Sequence, residues 1–416
     1  MKSVTEDSEK NNHIDENKND NSSNNKKNIF IKIFDWHKRT FLHLPYIIVI
    51  LIFCIIFCFF YCSTNKNNFD LVDMLYPRYY HTATKLDDGN IIIIGGGSKF
   101  SEIYDVKSKK FIIGPECKYN RFMHNVVKLP NGNLLIIGGH DAKNTNNEIL
   151  DIELYDWKKQ EFSVFTRLNK QLLCPKSVMI DKNNILVISP KISGSSQFSG
   201  LPEIIDLKSK SCRIINDFPK DFQAYFDLSI IPIKIDNKIL FYLYGSALKN
   251  SKNLLWNGND YKELNAIDIF SEYWTKIYPI GNNKIFYTKT FYKQKKIYYQ
   301  MGIYNLKTKI NKEIYTVKCG NEYQSFMPAI ITKIADSKII IAGGKTNTPK
   351  TKKIYSKDIY LYMQNKLQKI GLLHNKSLIN FTISDIGNNQ IIICGGRVSI
   401  NKNEYIPINK CQILEY

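Results

Sequence analysis

The chain has 416 residues and a formal net charge of +20, with 44% hydrophobic and 23% charged residues. The length leaves room for one large all-β repeat domain plus a tail, because repeat architectures escape the size ceiling of a single core. The positive balance invites a polyanion. Nearly all of it is lysine spread over turns and edges, as at Lys107 to Lys110 and Lys350 to Lys353. We read these lysines as a solvated surface that also blocks edge pairing, and expect no specific nucleic acid partner.

Residues 1–40 are read as a polar tail: the first 30 or so are Asn, Ser, Asp, Glu and Lys with almost no apolar content and cannot bury enough surface to offset chain entropy, so disorder is expected. Residues 41–63 then read as a transmembrane helix. Tyr46 to Tyr61 carries no charge, and Phe41, Leu42 and Leu44 extend the apolar run to roughly 20 residues, enough for a ~30 Å hydrocarbon core. A cleaved leader fits poorly: the run follows a long polar tail and ends in Phe60-Tyr61-Cys62 without small residues. Tyr61 is likewise too large for a lipoprotein site at Cys62. Lys26, Lys27, Lys32, Lys38 and Arg39 precede the segment and only Lys66 closely follows it. The positive-inside bias therefore predicts a single-pass anchor with a cytoplasmic N-terminus and residues 64–416 on the extracytoplasmic side, with Trp36, Tyr46 and Tyr61 at the interfaces.

From residue 88 on, a turn doublet precedes an apolar run about seven times, at intervals of roughly 43 to 54 residues. The doublets are Asp88-Gly89, Asn131-Gly132, Asn183-Asn184, Asp236-Asn237, Asn282-Asn283, Asp336-Ser337 and Asn388-Asn389. Each is compatible with a type I′ hairpin turn. Superposing the first two units places Arg78 over Arg121, His81 over His124, Gly95-Gly96 over Gly138-Gly139, Tyr104-Asp105 over Tyr155-Asp156 and Phe111 over Phe162. This pattern resembles the kelch repeat, with its double glycine after an apolar strand, then a Tyr and a further aromatic. The resemblance implies a β-propeller of the galactose oxidase central-domain type, each unit a four-stranded blade. Glycine pairs return at Gly343-Gly344 and Gly395-Gly396, with a remnant at Gly245-Ser246. Ser189-Pro190 and Tyr287-Thr288 replace them in the third and fifth units. Seven blades fit best; six or eight stay open.

The last unit stops at its third strand, Ile413 to Tyr416, without the fourth strand that Phe111 and Phe162 mark earlier. The segment Phe69 to Leu75 has the length and alternation to supply it, closing the ring and removing its open edge. Cys394 and Cys411 would then lie on adjacent strands, bonded or free, although adjacent strands rarely offer disulfide geometry. Cys54, Cys58 and Cys62 fall in the anchor, as small apolar residues or acylation candidates. Cys117, Cys174, Cys212 and Cys319 form no CxxC pair.

The site candidates are few. His81 and His124 occupy equivalent repeat positions, which makes them structural. His140 and Asp141, after Gly139, are expected at a loop tip, where function concentrates, but no third ligand stands at metal spacing. His374 reads as a surface-loop residue. The galactose oxidase branch of the resemblance uses copper held by two Tyr and two His, with a Tyr-Cys crosslink. No match to that set is recognisable, so no metal, cofactor or catalytic residue is assigned. Arg397 joins His140 and Asp141 as a binding candidate. Arg78, Arg121, Glu322 and Arg397 are the residues that could gather at a central pore. Sequons at Asn375 and Asn380 matter only in a glycosylating host, and Asn380 is expected in a strand. A scaffold binding a protein or carbohydrate partner is the preferred reading. A sugar-active enzyme of mutarotase, epimerase or oxidase type, using the pore, is the alternative. Oligomeric state is not readable.

Overall fold

The computed structural model describes residues 48–56 and the chain from 69 onward, apart from 142–143, 171, 173, 190–200, 216–227, 236–237, 246–252, 257–260, 265–275, 282, 295, 322–325, 328, 336, 348–352 and 402–403. The chain divides into two compact units, Met1–Asn67 and Asn68–Tyr416. In the first, residues 48–56 form one exposed helix. Among the described residues no helix is long and apolar enough to cross a membrane. The 1–40 tail and the remainder of the 41–63 stretch lie outside the described residues, as do Glu322 and the doublet Asp236-Asn237.

The second unit is all-β, and its described residues build seven four-stranded antiparallel sheets. We letter the strands of each sheet a to d. The first sheet is Thr82–Lys85, Ile91–Ile94, Phe100–Asp105 and Lys110–Glu116, and the second Asn125–Lys128, Leu134–Ile137, Asp151–Asp156 and Glu161–Arg167. The third is Lys176–Met179, Asn184–Ile188, Glu203–Asp206 and Ser211–Ile214. The fourth is Leu228–Ile235, Lys238–Gly245, Asn253–Trp256 and Tyr261–Leu264. The fifth is Lys276–Pro279, Lys284–Lys293, Lys296–Asn305 and Asn311–Asn321, and the sixth Ile330–Ala335, Lys338–Ala342, Asp358–Met363 and Lys366–Leu372. The seventh takes its a to c strands from Thr382–Gly387, Gln390–Cys394 and Lys410–Glu415.

The b strands explain how the sheets stack. Ile91–Ile94, Leu134–Ile137 and Ile185–Ile188 are buried at every residue, so they read as unbroken apolar runs instead of alternating ones. Such a strand needs a covering layer on both faces, and the adjacent sheets provide it. Ile92, Ile94 and Ile103 of the first sheet pack on Leu134, Ile136 and Tyr155 of the second, while Leu135 and Ile137 pack on Ile185 and Val187 of the third. Ile340 and Leu361 of the sixth meet Ile391 and Ile393 of the seventh, and Ile392 and Ile413 of the seventh return to Ile91, Ile93 and Tyr104 of the first. Each such isoleucine contributes roughly 1.5–3 kcal/mol by burial. The repeat aromatics reinforce this packing: Tyr104 meets Phe111 at a tilt with ring centres 5.1 Å apart, and Tyr155 meets Phe162 at 4.9 Å.

The turn doublets depart from a uniform type I′ reading. Among the doublets described at both residues, Asn388-Asn389 alone has two successive left-handed residues, φ 51° and 56°, in a two-residue hairpin between Gly387 and Gln390. In the first two units the loop is longer, closed by Leu86 N to Asn90 O and Leu129 N to Asn133 O, and only Gly89 and Gly132 are left-handed. The Asp88 and Asn131 side chains accept the amides of Asn90 and Asn133, which holds the preceding residues in ordinary turn geometry.

Closure runs as the sequence predicts. Phe69–Asp73 pairs antiparallel with Lys410–Glu415, Phe69 opposite Leu414 and Asp73 opposite Lys410, and becomes strand d of the seventh sheet. The strand stops at Asp73, short of the expected Leu75; Met74 N still donates to Asn409 O at 2.8 Å, and its side chain is buried, 1% exposed, beside Cys394 and Cys411. Those cysteines sit directly opposite one another, Cα to Cα 4.1 Å, and form a disulfide. That spacing is the close, non-hydrogen-bonded type of antiparallel pair. Met74→Ala should therefore destabilise the domain by about 2–5 kcal/mol. Leu71→Ala, on the exposed side of the same strand, should stay within about 0.5 kcal/mol. Urea unfolding of the full chain measures both.

Candidate functional site

Strand order fixes two ends of the second unit. The a–b and c–d hairpins lie at one, here the turn end. The d-to-a crossings and b–c loops lie at the other, the loop end. At the loop end a repeated clamp sews several of the described crossings to the sheet they enter. The Arg78 guanidinium donates to Glu102 Oε1 at 2.7 Å, Gly95 O at 2.6 Å and Phe100 O at 2.6 Å. Glu102 also accepts the amides of Leu75 and Tyr76. Arg121 repeats the arrangement with Glu153, Gly138 O and Asp151 O, and Glu153 accepts Lys118 N. Both pairs are fully buried. In the third sheet the arginine is lost, yet Glu203 still takes the amides of Asn169 and Lys170. In the seventh, Gln412 accepts His374 N. Arg78 and Arg121 are thus consumed by architecture and do not reach a pore.

The double glycines belong to the same device. Gly96 N donates to Arg121 O at 2.8 Å and Gly396 N to Arg78 O at 2.6 Å, each reaching from one sheet to the crossing that enters the next. Gly95 and Gly395 are left-handed, φ 71° and 62°, and a Cβ at either would collide with that same neighbouring crossing.

His81 and His124 complete the inter-sheet seam. His81 Nε2 lies 2.9 Å from Thr382 Oγ1 of the seventh sheet, and His124 Nε2 2.9 Å from Thr82 Oγ1 of the first. Burial, reinforced by Arg78 and Arg121 respectively, holds each imidazole down to about 3, so both are neutral at physiological pH. Their structural reading is consistent with this geometry. His374, by contrast, is half-buried, with its amide bound to Gln412.

A second layer of the loop end is not absorbed by the clamp. Tyr80, Met123, Cys174 and Asn380 each precede by one residue the position of His81, His124, Pro175 and Phe381, and all four are left-handed, φ between 49° and 58°. The conformation costs an L residue roughly 1–2 kcal/mol. It is sustained by bonds around the ring: Tyr80 N donates to Asn380 O and Met123 N to Tyr80 O. Cys174 Sγ reaches Met123 Sδ at 3.3 Å. Over this layer lies Arg397, in the short strand Arg397–Ser399 paired with Tyr405–Pro407. Its guanidinium carbon sits 4.7 Å from the Tyr79 ring centre, 5.2 Å from Tyr80 and 5.5 Å from Tyr405. Nη2 donates to Asn380 Oδ1 at 3.0 Å, and Tyr79 stacks further on Phe122 at 4.9 Å. Of the residues singled out from sequence, Arg397 is the one placed in a cluster that the repeat does not require. Tyr79, Tyr80 and Tyr405 leave no mark in the sequence because no residue type recurs at their positions; at Tyr80 and Asn380 the recurring feature is a backbone angle.

His140 and Asp141 do not form a loop tip. They make a two-residue strand opposite Phe122 and Arg121, also paired with Asn144–Glu148, and are half-buried. Asn380 lies in the crossing before strand a and not in a strand, its amide side chain engaged by Arg397. Cys212 is pushed up to about 12 by burial, and burial pushes Cys117 up as well, so both thiols are protonated at neutral pH. At the turn end a cavity of 600 Å³ is bordered by Leu129, Pro130, Met179 and Pro232 with Asp87 and Lys182. Among the described residues no group of three or more His, Cys, Asp or Glu could hold a metal ion.

No protein-family model matches this chain, and no curated protein matches it. Solved structures do. A fungal alcohol oxidase of the AA5 family, in complex with copper, is 14% identical over 84% of this chain and 76% of its own, with a TM-score of 0.53. The structure of YjhT is 13% identical over 81% of this chain and 99% of its own, with a TM-score of 0.47. The likeness to the oxidase, together with the all-β sheets, gives the second unit a β-rich fold of that oxidase's propeller type. At these identities the likeness concerns the fold alone.

Two outcomes follow from the buried groups. Because the folded imidazoles titrate near 3 and unfolded histidine near 6.5, the unfolded chain binds more protons between those values. Stability should be full above about pH 6.5 and fall as pH drops toward 3, by up to about 1.4 kcal/mol per pH unit for each histidine. Denaturation midpoints across pH should show this slope, reduced in His124→Gln. Arg121→Met leaves Glu153 buried without its cation and should cost about 3–5 kcal/mol. Arg121→Met with Glu153→Met should cost clearly less.

Proposed function

We propose that the protein is a single-pass, membrane-anchored, seven-bladed kelch-type propeller that holds a protein or carbohydrate partner at its loop end, on the extracytoplasmic side. Seven four-stranded sheets packed in sequence, with Phe69–Asp73 closing the last, support the blade count. The uncharged run Tyr46 to Tyr61 and its basic N-terminal flank support the anchor and its orientation. The observation that carries the binding role is the Arg397 platform. Four aromatic rings and a guanidinium, all half-buried, converge at the loop end in a layer the repeat does not need. Aromatic and arginine side chains of this kind are the usual anchors of recognition surfaces.

The sugar-active alternative draws on the fold likeness to an alcohol oxidase. It is weakened by the fate of its pore candidates, since Arg78 and Arg121 spend every side-chain nitrogen on Glu102, Glu153 and backbone carbonyls.

A photo-crosslinking side chain at Ile406, exposed beside Tyr405, should capture a defined partner on intact cells, and Arg397→Ala should reduce the adduct at least ten-fold. The same probe at Ile113, on an exposed outer strand, should give no such adduct. Equal adducts with and without Arg397 would remove the platform from recognition. Protease added to intact cells should digest the propeller, and survival of the full-length chain would overturn the orientation.

A further inference from the structure

The lysines are not scattered in the way their sequence positions suggest. In four sheets the c–d turn is built alike. Asp105 Oδ1 accepts the amides of Lys107 and Ser108, Asp156 Oδ1 those of Lys158 and Lys159, Asp206 Oδ1 those of Lys208 and Ser209, and Asn305 Oδ1 those of Lys307 and Thr308. The fifth turn residue is left-handed in each, at Lys109, Gln160, Lys210 and Lys309, with φ of 54° to 56°. This geometry leaves Lys107, Lys109, Lys208, Lys210 and Lys309 exposed at one end of the second unit, the Lys210 ammonium lying 5.7 Å from the Phe165 ring centre. The aspartates between them point back into their own turns.

The polypeptide enters the propeller at the same end. Phe69 faces Leu414 at the C-terminal end of a c strand, the level at which Phe111 faces Tyr104 just before the c–d turn of the first sheet. Only the seven residues Cys62 to Asn68 separate it from the end of the uncharged run at Tyr61. That tether spans at most about 30 Å.

We infer that the lysine-bearing turn end is the membrane-proximal face and docks on the phosphate-bearing headgroups of an anionic bilayer, leaving the Arg397 platform directed away from the lipid. The inference rests on the anchored reading above. Tethering brings the face within reach of the surface, and each lysine held there is worth about five-fold in occupancy.

The test uses the full chain in vesicles of phosphatidylcholine alone or with phosphatidylglycerol. A fluorescent amino acid replaces Ser108 in the turn end or, in a second protein, Ile400 at the loop end, with nitroxide-headgroup lipid as quencher. Position 108 should be quenched at least three-fold more than position 400, only with phosphatidylglycerol, and the difference should fade at high salt. Lys107→Glu with Lys109→Glu and Lys210→Glu should abolish it while the chain stays in the vesicles. Equal quenching at the two positions, or quenching indifferent to lipid charge, would overturn the docking and leave the anchor intact. Release of the full chain from the vesicles by alkaline carbonate would overturn the anchor, and the docking with it.

Discussion

A ring of stacked sheets has no stable end, so the structure depends on the pairing that joins its first strand to its last sheet. Without Phe69–Asp73, the c strand Lys410–Glu415 would expose an unpaired edge, and the cluster shared by the seventh and first sheets would lose Val72 and Met74. The chain places its densest reinforcement there. Met74 is sealed between sheets, Asp73 pairs with Lys410, and the disulfide between Cys394 and Cys411 ties the two strands next to the added one. Closure also decides geometry elsewhere, because Gly396 can reach Arg78, and His81 can reach Thr382, only when the seventh sheet lies against the first.

Within the ring, one set of contacts is copied from sheet to sheet with declining fidelity. The carboxylate near the start of strand c survives as Glu102, Glu153 and Glu203 because the crossing amides need an acceptor there whatever else changes, two at Glu102 and Glu203 and Lys118 N at Glu153. The arginine is the less constrained partner. It appears where the crossing also needs its carbonyl contacts and vanishes in the third sheet, where Asn169 binds the same carboxylate.

The division between the two ends of the domain follows from this economy. The loop end is crowded by the clamp, the glycine pairs and the histidines, and what remains outside them is the Arg397 platform. The turn end has short hairpins with self-satisfied Asx turns, which frees their side chains to carry charge. The Arg397 platform and the exposed lysines of the c–d turns thus sit on opposite ends of the same unit.

Much of the architecture was legible in the sequence. Period, unit boundaries, the missing last strand and its replacement at Phe69 all rest on hydrophobic pattern and turn residues, which act locally and leave a mark in order of residues. The structural role of His81 and His124 was legible for the same reason, since equivalence in the repeat is itself a sequence property. Tertiary structure alone decided three things. It buried Arg78 and Arg121 against glutamates 24 and 32 residues away. It turned His140 and Asp141 from a loop tip into a strand against a neighbouring crossing. It gathered Arg397 with Tyr79 and Tyr80, more than 300 residues apart in the chain. Such sites depend on backbone angles and on which crossings face each other around a closed ring, and neither leaves a residue pattern to read.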